Sequence, residues 1–181
     1  MNRYFLDTGY VLALELANDQ NHQRVSTHWR QIVSLSPRLV TTSFVFNEVV
    51  TFLNSRGYHE KAVEVGDRIF GSESVEFIHL DVNLFAAAWQ YLKRYKDKRY
   101  SLTDCASFVV MERRGLTLAL STDRHFEQAG KRTGTQLVSS PCRRGAGVGR
   151  AEARPTCFST PDPRPPTPNP RQNSRLTLIP G

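Results

Sequence analysis

Residues 3–14 read RYFLDTGYVLAL. The first four form a short, mostly apolar, β-prone run. Asp7 closes it, and a second apolar run follows from Thr8. A strand that passes straight into a helix is the first half of a βαβ unit. The same alternation recurs downstream. Short β-prone runs RLVTT (38–42), VEFIHL (75–80), LTLALS (116–121) and TQLVS (135–139) are separated by stretches with apolar residues at three- and four-residue spacing. One stretch carries Val45, Val49, Phe52 and Leu53, and a second Ala62, Val63, Ile69 and Phe70. A third carries Phe85, Ala88, Trp89 and Leu92, and a fourth Phe108, Val109 and Met111. This pattern predicts an α/β fold in three layers, with a central, mostly parallel sheet flanked by helices.

The pattern stops near residue 140. Nine of the ten prolines fall in residues 141–181, and the segment PDPRPPTPNP cannot run as a helix interior or a central strand. Residues 1–140 are therefore read as the folded domain and 141–181 as a Pro/Arg-rich tail expected to be disordered. The tail's arginines fit an RNA-contacting arm, but an appendage without function is the plainer reading.

Composition narrows the setting. The chain has 181 residues, 24 Lys and Arg against 17 acids and a net charge of +7, which fits an anionic partner such as nucleic acid. No apolar run approaches the roughly 20 residues needed to cross a bilayer, and Asp7 interrupts the N-terminal one. No membrane association and no secretory signal are expected. Three cysteines without a CxxC pair argue against a disulfide scaffold or a zinc site and favour a cytoplasmic location. The five histidines show no metal-binding spacing, and there is no Walker or GxGxxG motif.

Open α/β sheets build their sites at the carboxyl ends of the strands. Four acids are expected there. Asp7 follows the first strand, Glu48 lies early in the helix after the second, Asp104 opens the helix SLTDCASFVVMERRG, and Asp123 follows the fourth strand. Each also has an ordinary structural reading. Asp7 and Asp123 fit helix caps, Ser101 and Asp104 fit a capping box, and Glu48 fits an exposed helix position. Their joint placement is more telling. Two like charges ~4 Å apart repel by about 4 kcal/mol at an effective dielectric of 20, so four acids around one space call for protonation or a cation. An all-oxygen donor set suits Mg²⁺, or Mn²⁺, and such an ion can orient water and stabilise charge on a phosphate.

These pieces, FLDTGYVLAL with Asp7, NEVV with Glu48, TDCASFVV with Asp104 and STDRHFEQAG with Asp123, resemble those of PIN-domain ribonucleases, and most closely the VapC-type toxins. The resemblance runs over roughly residues 2–138. It implies a Mg²⁺-dependent endoribonuclease acting on single-stranded RNA, with Asp7 and Asp104 as direct metal ligands and Glu48 and Asp123 completing the acidic pocket. It also implies a cognate antitoxin protein that inhibits the enzyme, and a homodimer. Asn47, Thr8, Ser107 and Thr122 stand beside the acids and are candidates to support them.

The remaining features weigh less. The run LKRYKDKRY holds Lys93, Arg94, Lys96, Lys98 and Arg99, with Tyr95 and Tyr100 as candidates for base stacking; a solvated helix end explains it equally well. His125, two residues after Asp123, could touch substrate, but a surface residue is the plainer reading; Cys105 reads as a small packed residue, and Trp29 and Trp89 as packing residues. Two rival readings fit the residues less well. A haloacid-dehalogenase-type phosphatase needs an acid two residues after its first aspartate, and Gly9 stands there instead. A catalytically silent PIN-like module that binds RNA or protein would be expected to have lost acids, and all four are present.

Overall fold

The computed structural model describes residues 2–133. In chain order the elements are β1 (Arg3–Leu6), α1 (Thr8–Glu15), α2 (His22–Val33), β2 (Arg38–Thr42), α3 (Ser43–Ser55), α4 (His59–Gly71), β3 (Val75–Ile78), α5 (Val82–Arg94), α6 (Leu102–Arg113), β4 (Leu118–Leu120), α7 (Arg124–Gln128) and β5 (Arg132–Thr133). The strands form one sheet in the order β3-β2-β1-β4-β5. Every pairing is parallel, so the sheet goes beyond the mostly parallel expectation. The strand expected at TQLVS, like the tail from 141, lies outside the described residues.

The strand order explains where a site can form. From β1 the chain moves outward to β2 and β3, then returns to the other side of β1 as β4 and β5. Right-handed crossovers put the connections before and after this reversal on opposite faces of the sheet. At the carboxyl edge they part between β1 and β4, leaving a crevice. The register fixes its walls: Phe5 lies beside both Val40 and Ala119, and Leu6 beside Leu120. The Asp7 N–H then donates to the Leu120 carbonyl at 3.0 Å, so pairing continues one residue beyond β1.

The core follows the apolar runs. Phe5, Val40, Ala119 and Leu120 are fully buried in the sheet, and Tyr10, Val45, Val49, Leu53 and Phe108 cover it from the helices. In α6 all eight residues from Asp104 to Met111 are buried, so this helix is enclosed on every side rather than amphipathic. The apolar spacing misleads elsewhere. Val63, Phe70, Phe85 and Trp89 are about half exposed, although Phe70 still stacks with Phe46 and Phe77 at 4.6 Å. Trp29 does pack against the core. Periodicity finds the apolar face of a helix but does not say whether sheet or solvent meets it. Among the described residues no helix is long and apolar enough to cross a membrane.

Candidate active site

All four predicted acids line one open cavity of about 660 Å³ at the carboxyl edge of the sheet. Each arrives through a different piece of local structure. Asp7 is the N-cap of α1, and its Oδ2 accepts from the Gly9 N–H at 3.3 Å. The start of α1 lies so close to the β4 end that a Cβ on Gly9 would stand 2.6 Å from Thr122 Oγ1. Asp104 sits in the first turn of α6 in a complete capping box. The Ser101 N–H donates to its Oδ2 at 2.8 Å, and its own N–H donates to Ser101 Oγ at 3.0 Å. Asp123 caps α7 by accepting from the His125 N–H at 2.9 Å. Glu48, exposed on α3, accepts a 3.0 Å hydrogen bond from Thr8 Oγ1, which ties α3 to α1. The capping readings are thus correct for three acids, and the same caps aim them into one space.

Two polar residues in the site stand differently from the sequence reading, which did not single out Ser121 and took His125 for a surface residue. Ser121 is buried between β1 and β4; its hydroxyl donates to Asp7 Oδ2 at 2.7 Å while its Oγ accepts from the Asp123 N–H at 2.9 Å. It links the first and last acids. Its position, directly before Thr122 and Asp123 at a strand end, was the available signal. His125 is not a free surface residue. Its Nδ1 lies 3.1 Å from Asp104 Oδ2 and 3.3 Å from Asp123 Oδ2, and Tyr100 meets its ring edge-on at 5.3 Å. Tyr100 is buried against Phe108, so it is not available for base stacking. Of the other suggested supports only Thr8 reaches an acid: the Ser107 hydroxyl donates to the Thr103 carbonyl within its own helix.

The electrostatics favour a cation. Burial pushes the Asp7 carboxyl up to about 7; the Ser121 hydrogen bond partly offsets this, and the nearby Asp104 charge adds to it. No Lys or Arg forms an ion pair with any of the four acids among the described residues. Ligand atoms of Asp104, Asp123 and His125 lie within 4.8 Å of one another, and Asp7 stands outside this triplet. Clustered carboxylate oxygens without a fixed countercharge, one of them held partly protonated, fit a hard divalent ion. By contrast, Cys105 is buried with its thiol pushed up to about 11, which makes it a packing residue.

Comparison with known proteins bears on the same region. A family model of the PIN domain matches residues 4–132. The chain is 34% identical over 126 residues to the 23S rRNA-specific endonuclease VapC20 of Mycobacterium tuberculosis, an alignment spanning 70% of this chain and 93% of that protein. The crystal structure of M. tuberculosis VapC20, described as a sarcin–ricin loop cleaving toxin, matches with a TM-score of 0.65 at 33% identity, over 71% of this chain and 95% of that one. PAE2754 from Pyrobaculum aerophilum shares the fold at a TM-score of 0.54 and 13% identity, over 76% and 87% of the two chains. FitAcB from Neisseria gonorrhoeae does so at 0.51 and 14%, over 72% and 95%. With its fold, the order of its acids and its sequence in agreement from residue 4 to residue 132, the chain belongs to the PIN-domain family.

Proposed function

We propose that the protein is a Mg²⁺-dependent endoribonuclease, with Mn²⁺ as a competent substitute, that hydrolyses phosphodiester bonds in single-stranded RNA as the toxin of a toxin–antitoxin pair. The observation that carries this reading is the convergence of Asp7, Glu48, Asp104 and Asp123 on one cavity, where no Lys or Arg forms an ion pair with any of them among the described residues. Asp7 and Asp104 would hold the ion, with Asp123 and Glu48 completing the pocket. When bound, the ion supplies positive charge that offsets the charge developing on the phosphate. The chain's own residues do the rest. Ser121 fixes the Asp7 carboxylate, the capping box fixes Asp104, and Glu48, held by Thr8, would take a proton from the attacking water. Water adds to phosphorus, one P–O ester bond breaks, and the departing oxygen takes up a proton.

The 34% identity to a 23S rRNA-specific endonuclease supports an exposed loop of ribosomal RNA as the substrate class. Two partners complete the proposal: a cognate antitoxin protein that closes the acidic cavity, and a second copy of the chain. Val82, Phe85 and Trp89 are exposed on α5 at i, i+3 and i+7, which supports a homodimer through that helix. A ribosomal RNA substrate would place the protein in the cytoplasm.

The test uses a short RNA hairpin reproducing the sarcin–ricin loop. The purified chain should cut it with Mg²⁺ or Mn²⁺ and stop on addition of EDTA. Asp7→Asn and Asp104→Asn should each lower the rate by at least 100-fold while keeping the circular dichroism of the parent. If both variants cut like the parent, the site assignment is wrong. If the parent binds the hairpin but never cuts it with any divalent ion, a silent RNA-binding module is the correct reading.

A further inference from the structure

The acidic cavity has to admit a polyanion, and its wall contains two arginines that the proposed chemistry does not use. Arg99 and Arg124 line the same cavity as the four acids. Neither guanidinium forms an ion pair or a side-chain hydrogen bond among the described residues, although carboxylates stand close by. One oxygen of each of three acids is already engaged, and not by an arginine: Asp7 Oδ2 by Ser121 and Gly9, Asp104 Oδ2 by Ser101 and His125, and Glu48 Oε2 by Thr8. Both guanidinium groups therefore keep their full donor capacity for a ligand.

The backbone ties each arginine to an acid. Arg99 lies two residues before Ser101, whose N–H is held by Asp104 in the capping box. Arg124 directly follows Asp123 and is the first residue of α7, which Asp123 caps. The caps that aim two of the acids therefore also set where these two side chains start. Elsewhere in the basic run LKRYKDKRY, Lys98 pairs with Asp97 and the remaining cations do not line the cavity.

We propose that Arg99 and Arg124 hold phosphates of the RNA strand next to the bond that is cut, so that the chain grips the substrate's backbone on its own charge before the acids act. The proposal rests on the ribonuclease reading above. It assigns to these two residues a role in binding the strand, separate from the chemistry at the acids. Removing either should weaken substrate capture more than turnover.

Cleavage of the same hairpin by the full chain tests this. Arg99→Ala and Arg124→Ala should each raise KM about 10-fold with kcat within about threefold of the parent. Each should also reduce the slope of log(kcat/KM) against log[KCl] by about 0.7, the value for one phosphate contact on a single strand. Lys96→Ala, in the same basic run but off the cavity, should change neither. A second substrate set carries a single neutral 2′-deoxy methylphosphonate at each linkage beside the cut in turn. The linkage held by Arg99 should lose its effect in Arg99→Ala, and likewise for Arg124. If KM and the salt slope match the parent, or if the neutral linkages cost each variant as much as they cost the parent, the inference is overturned. A parent that leaves the hairpin intact with every divalent ion overturns the ribonuclease reading itself, and this inference falls with it.

Discussion

At the residue scale, Asp7 shows how a capping position comes to line a cavity. Its place after β1 is legible in the sequence, and so is its capping of α1; its burial against β4 is not, because that depends on which strand comes to lie beside β1. The result is a carboxyl pushed up to about 7 from an ordinary value of 3.8. The folded state therefore holds this proton more tightly than the unfolded state does. The stability it contributes is complete below about pH 4 and is lost as pH rises to 7, with no further loss above. For the metal-free protein this group's contribution is on the order of 4 kcal/mol. Asp7→Asn removes the titration, so in EDTA the variant should gain stability over the parent as pH rises from 4 to 7. Denaturant unfolding at a series of pH values measures this; parallel curves for parent and variant would refute it. Ser121→Ala probes the partner. It deprives the Asp7 carboxylate and the Asp123 N–H of their shared bond and should destabilise the protein by about 2 kcal/mol. Cleavage should fall with it, and unchanged thermal unfolding would show that the linkage is dispensable.

At the scale of elements, the strands were the legible part. β1, β2 and β3 and the core of β4 coincide with apolar runs; for the inner strands β1, β2 and β4 this follows from burial on both faces, while the edge strand β3 is mostly half-buried. α6 was legible only at its ends. The S-x-x-D spacing gave its capping box, but the spacing of Phe108, Val109 and Met111 did not reveal a helix enclosed on all sides. Because the helix is buried along its length, packing rather than the cap supplies most of its stability. This separates two functions of its first turn. Ser101→Ala removes the acceptor for the Asp104 N–H but keeps the Ser101 backbone donor that holds the Asp104 carboxylate. It should cost about 1 kcal/mol in denaturant unfolding and leave kcat within a few-fold of the parent. A loss of turnover comparable to that of Asp104→Asn would mean that the hydroxyl takes part in the chemistry.

At the scale of the whole molecule, the net charge of +7 is a poor guide to function because it is unevenly spread. Residues 1–140 carry 17 Lys and Arg against 15 acids, while residues 141–181 carry seven arginines against two acids. A domain so close to neutral can bring two copies together without strong mutual repulsion. It also leaves a contiguous apolar stripe on α5, where Val82 is 83% exposed and Phe85 and Trp89 are each 46% exposed. The sequence grouped Phe85 and Trp89 with Ala88 and Leu92 and did not single out Val82; the fold buries Ala88 and leaves Val82, Phe85 and Trp89 exposed. Large aromatics at the centre of an interface carry much of its binding energy, so one charge placed there should be decisive. Trp89→Glu is expected to weaken association at least 100-fold, since it removes a buried ring and desolvates a carboxylate. In sedimentation at micromolar concentration the parent should run at twice the 20.5 kDa chain mass and the variant at the chain mass. Because Trp89 is half exposed in the single chain, the variant should keep the parent's unfolding midpoint when both are compared as monomers. A parent that sediments as a monomer, or a variant that still pairs, would show that α5 meets something other than a second copy.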